Sequence, residues 1–224
     1  MNFVVFPGQG SQKIGMGKQL SDNFSEAKEV FDEVNEALKL NLTKIMWDGS
    51  EREISLTSNA QPALMACGIA AFRVLSKLSN KGISELANFT CGHSLGEYTA
   101  MTVAEVISLR DCALLLRLRG EAMQQAVPVG KGAMAALIGA NLSSAIEIIE
   151  KVQINGICDI GNDNSDGQVV ISGDVEAVEK AIELARNNGV KRAILLPVSA
   201  PFHCRLMKPA QHIMEEALNK LKFN

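Results

Sequence analysis

The chain has 224 residues, 47% hydrophobic and 21% charged, with a formal net charge of −3 at pH 7. That length can bury a sizeable core, in one large domain or one domain with an insert. The composition is that of a globular protein, and the slight acidity argues against a nucleic-acid-binding surface. No apolar run approaches the roughly 20 residues of a membrane span, and Met1 to Pro7 lacks the basic start of a signal peptide. The five cysteines, at 67, 91, 112, 158 and 204, include no Cys-x-x-Cys pair. They suggest neither a disulfide framework nor a zinc site, and a reducing, cytoplasmic setting follows.

In chain order, Phe3 to Phe6 reads as a buried strand, and Gly8 to Gln12 as a glycine-rich loop. Phe24, Ala27, Phe31, Val34 and Leu38 recur at helical spacing. Thr57 to Gln61 reads as a polar stretch, with Pro62 in the first turn of the next helix. That helix places Leu64, Cys67, Ala71 and Leu75 on one face, with Gly68 where a neighbour can pack closely. Phe89 to Cys91 is a short buried strand, followed by a helix with Tyr98, Met101, Thr102, Val106 and Leu109 on one face. Another helix runs from about Ser108 to Ala126.

From about Lys131 to Ser199 the pattern changes. Met134 to Ile138 is a strand, and Leu142 to Val152 a helix with Ala145, Ile148, Ile149 and Val152 inward. Ile157 to Ile160 and Gln168 to Ser172 are strands joined by the polar turn Gly161 to Gly167. Val175 to Asn187 is a helix closed by Gly189, and Arg192 to Val198 a last strand. The order βαββαβ is the ferredoxin-like pattern, and such a unit can fold as an insert in a larger α/β domain.

The segment Gly92-His93-Ser94-Leu95-Gly96-Glu97-Tyr98 fits the G-x-S-x-G nucleophile elbow, a strand-to-helix turn that presents a serine. Ser94 would sit at a helix N-terminus, where backbone N–H groups favour developing negative charge. A serine hydroxyl needs a base, and the chain has three histidines, His93, His203 and His212. His93 leaves the elbow in another direction and reads as structural; His212 lies in a predicted helix. His203, on a loop after a strand, is the best candidate base. None of Asp111, Asp159, Asp163, Asp166 and Asp174 can be assigned to orient it, and a backbone carbonyl could serve instead. Cys91 and Cys204 read as small packing residues.

Four segments in order, Phe6 to Gln12, Gly92 to Tyr98, Asn162 to Val170, and Pro197 to Met207, closely resemble the malonyl-CoA:acyl carrier protein transacylases of type II fatty acid synthesis. The resemblance runs over the whole chain. It implies that Ser94 is the nucleophile and His203 the general base. It places Gln9 and the backbone N–H of Leu95 at the oxyanion hole. Arg119 matches the arginine that grips the free malonyl carboxylate, whereas Arg117, on another helical face, reads as a solvated charge. Leu95 and Phe202 go with malonyl rather than methylmalonyl. Asn162 falls in an active-site turn that contacts the acyl or pantetheine portion.

The fold class implied is α/β: an α/β-hydrolase-like large subdomain (residues 1–130 and 200–224) with an inserted ferredoxin-like small subdomain (131–199). The reaction implied passes a malonyl group from malonyl-CoA to Ser94 and then to the phosphopantetheine thiol of holo-acyl carrier protein. It needs no metal or redox cofactor, and the protein is expected to work as a monomer without nucleic acid or membrane. Lys191, Arg192, Arg205 and Lys208 are candidates for docking an acidic carrier. Members of the family continue beyond the position of Asn224 with a strand pair of the large sheet and a loop whose backbone carbonyl orients the histidine; a chain without that part would expose a sheet edge and leave His203 without its usual acceptor. A serine thioesterase, or an impaired fragment acting only as a binding module, are the alternative readings.

Overall fold

A computed structural model describes residues 1–128 and 130–224 as a mixed α/β chain in two units. The first unit is Met1–Glu121 with Met214–Asn224, and the second is Ala122–Ile213.

In the first unit, β1 (Phe3–Phe6) is followed by α1 (Lys18–Asn23), α2 (Ser25–Leu38), α3 (Leu42–Asp48), α4 (Glu51–Ser55) and α5 (Thr57–Ser79). Then come α6 (Ile83–Leu86), β2 (Phe89–Gly92), α7 (Leu95–Val103) and α8 (Leu109–Ala126), whose end from Ala122 onward counts with the second unit. β1 and β2 pair in parallel, Phe3 opposite Phe89 and Phe6 opposite Gly92. The two strands are not buried as their sequences suggest: Phe3, Val5 and Phe89 are 57%, 65% and 50% exposed, and Cys91 is exposed too. A two-stranded sheet covered on one side leaves alternate residues on its open face.

The core of this unit joins α2, α5 and α7 through Val30, Phe31, Val34, Met65, Ile69, Leu95 and Val103. Trp47 extends it, packing edge-on against Phe31 while its indole N–H donates to the Met16 carbonyl at 3.0 Å. The inward face of α7 is Leu95, Thr99, Ala100 and Val103, not the face beginning at Tyr98, and the helix stops before Val106. Tyr98, Met101 and Val106 flank the core, half-buried. Gly68 of α5 does meet close neighbours, since a Cβ there would lie 3.1 Å from the Phe6 ring and 3.2 Å from Thr99. Leu75, expected on the inward face, is 48% exposed. At 23 residues α5 is long and apolar enough to cross a membrane by length and composition alone, a test that a core helix also passes; here it packs in the core through Met65 and Ile69.

α5 begins at Thr57, so Pro62 lies inside the helix rather than in its first turn. Proline has no N–H, which leaves the Ser58 carbonyl without its helical donor. Arg117 of α8 supplies one: its Nη1 donates to Ser58 O at 3.2 Å and to Asn59 Oδ1 at 2.7 Å, and its Nε pairs with Glu121. Arg117 is therefore a structural clamp and not the solvated charge its helical position suggests. Gly120 makes the approach possible, because a Cβ there would sit 2.5 Å from Ser58 Cα and 2.6 Å from Thr57 O.

In the second unit, β3 (Gly132–Ile138), α9 (Leu142–Val152), β4 (Cys158–Ser165), β5 (Gln168–Asp174), α10 (Val175–Asn187) and β6 (Arg192–Leu195) form an antiparallel sheet of order β4-β5-β3-β6 with two helices. α11 (Lys208–Asn219) follows and returns to the first unit from Met214. The sheet alternates cleanly. Ala135, Leu137, Val169 and Ile171 face a core with α9 and α10; Met134, Ala136 and Val170 face a second core with Phe202, Met207 and Ala210. The expected inward residues of α9 are all buried.

β4 runs through most of the stretch expected to be a turn, leaving only Asp166 and Gly167 to reverse the chain. β4 is an edge strand with irregular register between Ile160 and Asn162 and between Asp163 and Ser165. Pairing with β5 overrides the turn preference of Asn and Asp, and the bulges and open edge keep the polar side chains solvated. β6 ends at Leu195, three residues short of the expected Val198.

Burial pushes the thiols of Cys67, Cys112 and Cys158 up to about 12. At pH 8, iodoacetamide should label Cys91 in the folded protein and reach these three only after unfolding, as peptide mapping would show. The unfolded chain ionises them near pH 9 and the folded one does not. The protection they add is therefore complete below that pH and is lost as pH rises from about 9 toward about 12. The α5–α8 clamp gives a second expectation. Arg117→Met and Gly120→Ala should each lower stability by about 1–3 kcal/mol in urea unfolding, where a solvated arginine would change it by less than about 0.5 kcal/mol.

Candidate active site

Ser94 stands between β2 and α7 with φ 54° and ψ −110°, a conformation that costs an ordinary residue of order 1–3 kcal/mol. Two glycines allow it. A Cβ on Gly92 would lie 2.0 Å from the Gly96 carbonyl, and one on Gly96 would lie 2.3 Å from Phe6 O. The turn is closed by hydrogen bonds: His93 N–H donates to Phe6 O at 3.0 Å, Gly96 N–H to His93 O at 2.9 Å, and Glu97 N–H to Ser94 O at 3.1 Å. Leu95 is the first residue of α7, so its N–H has no acceptor within the helix. The His93 ring lies beside Gly8, where a Cβ would come within 2.5 Å of Nδ1. Gly8 thus leaves room for that ring, and His93 itself is exposed.

Five non-glycine residues have left-handed φ among those described: Lys39, Asn80, Ser94, Glu105 and His203. Lys39 and Asn80 cap α2 and α5, and Glu105 follows the end of α7. Only Ser94 and His203 lie away from helix C-termini. Such strain persists where the surroundings over-determine it, which is common at functional sites.

Arg119, half-buried on α8, reaches the serine. Its Nη2 donates to Ser94 Oγ at 3.0 Å and its Nη1 to Gln61 Oε1 at 2.7 Å. The guanidinium carbon lies 5.7 Å from the centroid of the Tyr98 ring, within cation–π range. Burial lowers the Arg119 pKa, and Tyr98 and Glu97 work against that shift; the guanidinium stays charged. Burial also raises the pKa of Tyr98, against the pull of the Arg119 charge, so the phenol is neutral near pH 7. Gln9 belongs to the same unit, and its Nε2 donates to Thr57 Oγ1 at 3.2 Å.

The structure thus brings together Ser94, Leu95 and Arg119, and adds Gln61 and Tyr98, which the sequence reading did not place at the site. Gln61 is 1% exposed. A signal was present: Thr57, Asn59 and Gln61 are polar residues just before a proline, at the start of an otherwise apolar segment. All three are buried and must find partners. Arg117 and Arg119 of α8 are partners of Asn59 and Gln61.

The remaining candidates lie in the second unit. His203 is half-buried, between the buried Phe202 and the half-buried Cys204, whose Sγ contacts Pro201 O at 3.1 Å. Asn162 is not in a turn; it sits in β4 opposite Val170, where the strand is irregular. Among the four basic residues proposed for docking, all exposed, Arg205 is committed to Asp159 by ion pairing at 2.9 Å. Cys204 packs as expected and burial raises its pKa, whereas Cys91 is exposed. Among the described residues, no group of three or more His, Cys, Asp or Glu is arranged to hold a metal ion.

Residues 3–224 match the model of the acyl transferase domain family. The chain is 47% identical over 216 residues to the malonyl CoA-acyl carrier protein transacylase of Bacillus subtilis, covering 96% of this chain and 67% of that protein. It is 42% identical over 220 residues to the Escherichia coli protein of the same name, covering 98% and 70%. The acyl-carrier-protein-S-malonyltransferase of Bartonella henselae superposes with a TM-score of 0.96 at 51% identity, over 100% of this chain and 71% of that one. A malonyl-transacylase solved with its type II PKS acyl-carrier protein superposes with a TM-score of 0.93 at 40% identity, over 99% and 71%. The chain belongs to the acyl transferase family, in the branch of the malonyl CoA-acyl carrier protein transacylases.

Proposed function

We propose that the protein transfers the malonyl group from malonyl-CoA to the phosphopantetheine thiol of holo-acyl carrier protein through a malonyl ester on Ser94. The observation that carries this reading is the Arg119 guanidinium held 3.0 Å from Ser94 Oγ. A cation in that place suits an acyl group that ends in a carboxylate. On binding, the carboxylate replaces the serine hydroxyl as acceptor, while Gln61 and Tyr98 keep the guanidinium in place. A neutral acyl chain leaves the charge unpaired, which is the basis of selection.

Ser94 Oγ attacks the thioester carbonyl, its proton passes to His203, and the protonated imidazole returns it to the leaving thiolate of coenzyme A. The oxyanion is stabilised by the Leu95 N–H at the start of α7 and by Gln9 of the glycine-rich loop. In the second half-reaction His203 takes the proton of the carrier thiol, the thiolate attacks the ester, and the imidazolium returns the proton to Ser94 Oγ as the Oγ–acyl bond breaks. Asn162 contacts the acyl or pantetheine portion, and Lys191, Arg192 and Lys208 help to dock the carrier. No metal or redox cofactor takes part. The architecture proposed is an α/β-hydrolase-like large subdomain, near residues 1–130 and 200–224, with a ferredoxin-like insert near 131–199. The βαββαβ order and sheet order of the second unit support the insert. The protein acts as a monomer in the cytoplasm.

Intact-protein mass after brief exposure to malonyl-CoA tests the core of this reading. A malonyl adduct should form, be absent from Ser94→Ala, and disappear when holo-carrier is added, with malonyl-carrier as product. Free malonate released without carrier would mark a hydrolase, and no adduct at all would mark a binding module. Selectivity is a separate expectation. Arg119→Ala should lower the malonyl-to-acetyl ratio of acylation rates by about 10- to 100-fold, the worth of one charge-assisted hydrogen bond. Gln61→Leu should raise KM for malonyl-CoA several-fold and affect kcat less.

A further inference from the structure

In the second unit the loop that carries His203 is tethered by a residue the sequence reading set aside. Asp159 Oδ2 accepts the backbone N–H of Arg205 at 2.8 Å, and the carboxylate also accepts from Arg205 Nε at 3.0 and 3.1 Å and Nη2 at 2.9 Å. Arg205 lies two residues after His203 and opens a short 3-10 turn, Arg205–Met207. The Arg205 side chain is 59% exposed, so the guanidinium pair alone is weak. Asp159 is only 22% exposed, and its bond to the main chain is the firmer one.

His203 needs such a tether. Its φ of 61° is unfavourable for a residue with a Cβ, and no helix end accounts for it. Upstream, Pro201 is buried against Gly132, where a Cβ would come within 2.2 Å of the proline ring. Downstream, Asp159 fixes Arg205, and Met207 N–H donates to Cys204 O at 2.9 Å. Asp159 itself is paired with Ser172 across the sheet, immediately before the irregular register at Ile160 and Asn162. The sheet thus reaches out one carboxylate to hold the loop at the far side of the strained residue.

We propose that Asp159 is a positioning residue for His203, acting through the backbone N–H of Arg205. This rests on the reading of His203 as the general base. It needs no contact between Asp159 and the imidazole, only a fixed course of the main chain on the C-terminal side of His203. A misplacement of about 1 Å can cost a positioned group on the order of 100-fold in rate.

The test is single-turnover formation of malonyl-Ser94 by intact mass, followed over malonyl-CoA concentration, in the full chain. Asp159→Ala should lower the saturating rate by about 10- to 100-fold and leave the half-saturating concentration within about twofold. Asp159→Asn keeps a carbonyl acceptor and should recover to within about fivefold of the parent. Arg205→Ala, which keeps the N–H, should stay within about threefold. Arg205→Pro deletes only the N–H and the side chain, at a position where the preceding Cys204 is extended and proline is tolerated. It should match Asp159→Ala, and it tests the proposal even if Asp159→Ala does not fold. In a His203→Ala background, Asp159→Ala should add less than about twofold, because its effect passes through the imidazole. A normal rate in Asp159→Ala or in Arg205→Pro overturns the proposal, as does an undiminished loss in the His203→Ala background. If His203→Ala alone acylates normally, the assignment of the base has failed instead, and the two results are told apart by that control.

Discussion

The arrangement of the first unit depends on how closely the start of α7 can approach β1. Gly96 lies where any side chain would strike the carbonyls of Phe6 and Pro7, and Gly92 where one would strike Gly96. That contact, together with the His93 N–H bond to Phe6 O, forces the chain through the strained turn at Ser94. It therefore fixes where the serine oxygen sits and where the first N–H of α7 points. The two strands bury only one face, β1 through Val4 and Phe6, and it is the end of β1 that supplies the carbonyl against which the elbow is folded.

A second constraint meets the first at the serine. The opening turn of α5 buries Thr57, Asn59 and Gln61, and Pro62 removes a donor from the same turn. Buried acceptors of this kind are costly unless satisfied. Gln9 donates to Thr57, and α8 satisfies the Ser58 carbonyl, Asn59 and Gln61 with two arginines. Arg117 closes the gap that the proline leaves and fixes the helix pair, and Arg119 takes Gln61 on one side and Ser94 on the other. The cation at the site is thus held by the same turn that holds the helices together, so recognition of a charged acyl group and packing of the core share one set of hydrogen bonds. The second unit reaches its own strained residue by different means, a sheet carboxylate bound to the main chain beyond His203.

Much of this could be read in the sequence. The helices α2, α8, α9 and α10 follow from apolar spacing because each packs one face on a continuous core. The elbow is legible because the glycine spacing around Ser94 marks a tight turn and Gly92 is demanded by its neighbour Gly96, although the need for Gly96 itself comes from Phe6 and Pro7 at the other end of the unit's sequence. The turn preference of Asn162 to Ser165 was misleading, since pairing with β5 outweighs it. Pro62 was misplaced because its cost is removed by an arginine 55 residues further on, which no local rule can see. Cys91 and Phe89 look like core residues in a strand, but only the number of layers on the sheet decides whether a face is covered.

The sequence by itself determined the elbow serine, the βαββαβ order of the second unit and the resemblance that names Arg119 and His203, because these rest on neighbours in the chain and on residue type. Only the tertiary structure decided that Arg119 touches Ser94, that Gln61 and Tyr98 hold it, that Arg117 is a clamp and that Asp159 tethers the loop of His203. Each of these is a bond between groups far apart in sequence, and a long side chain's partner is set by which helices and strands come together, which spacing along the chain does not encode.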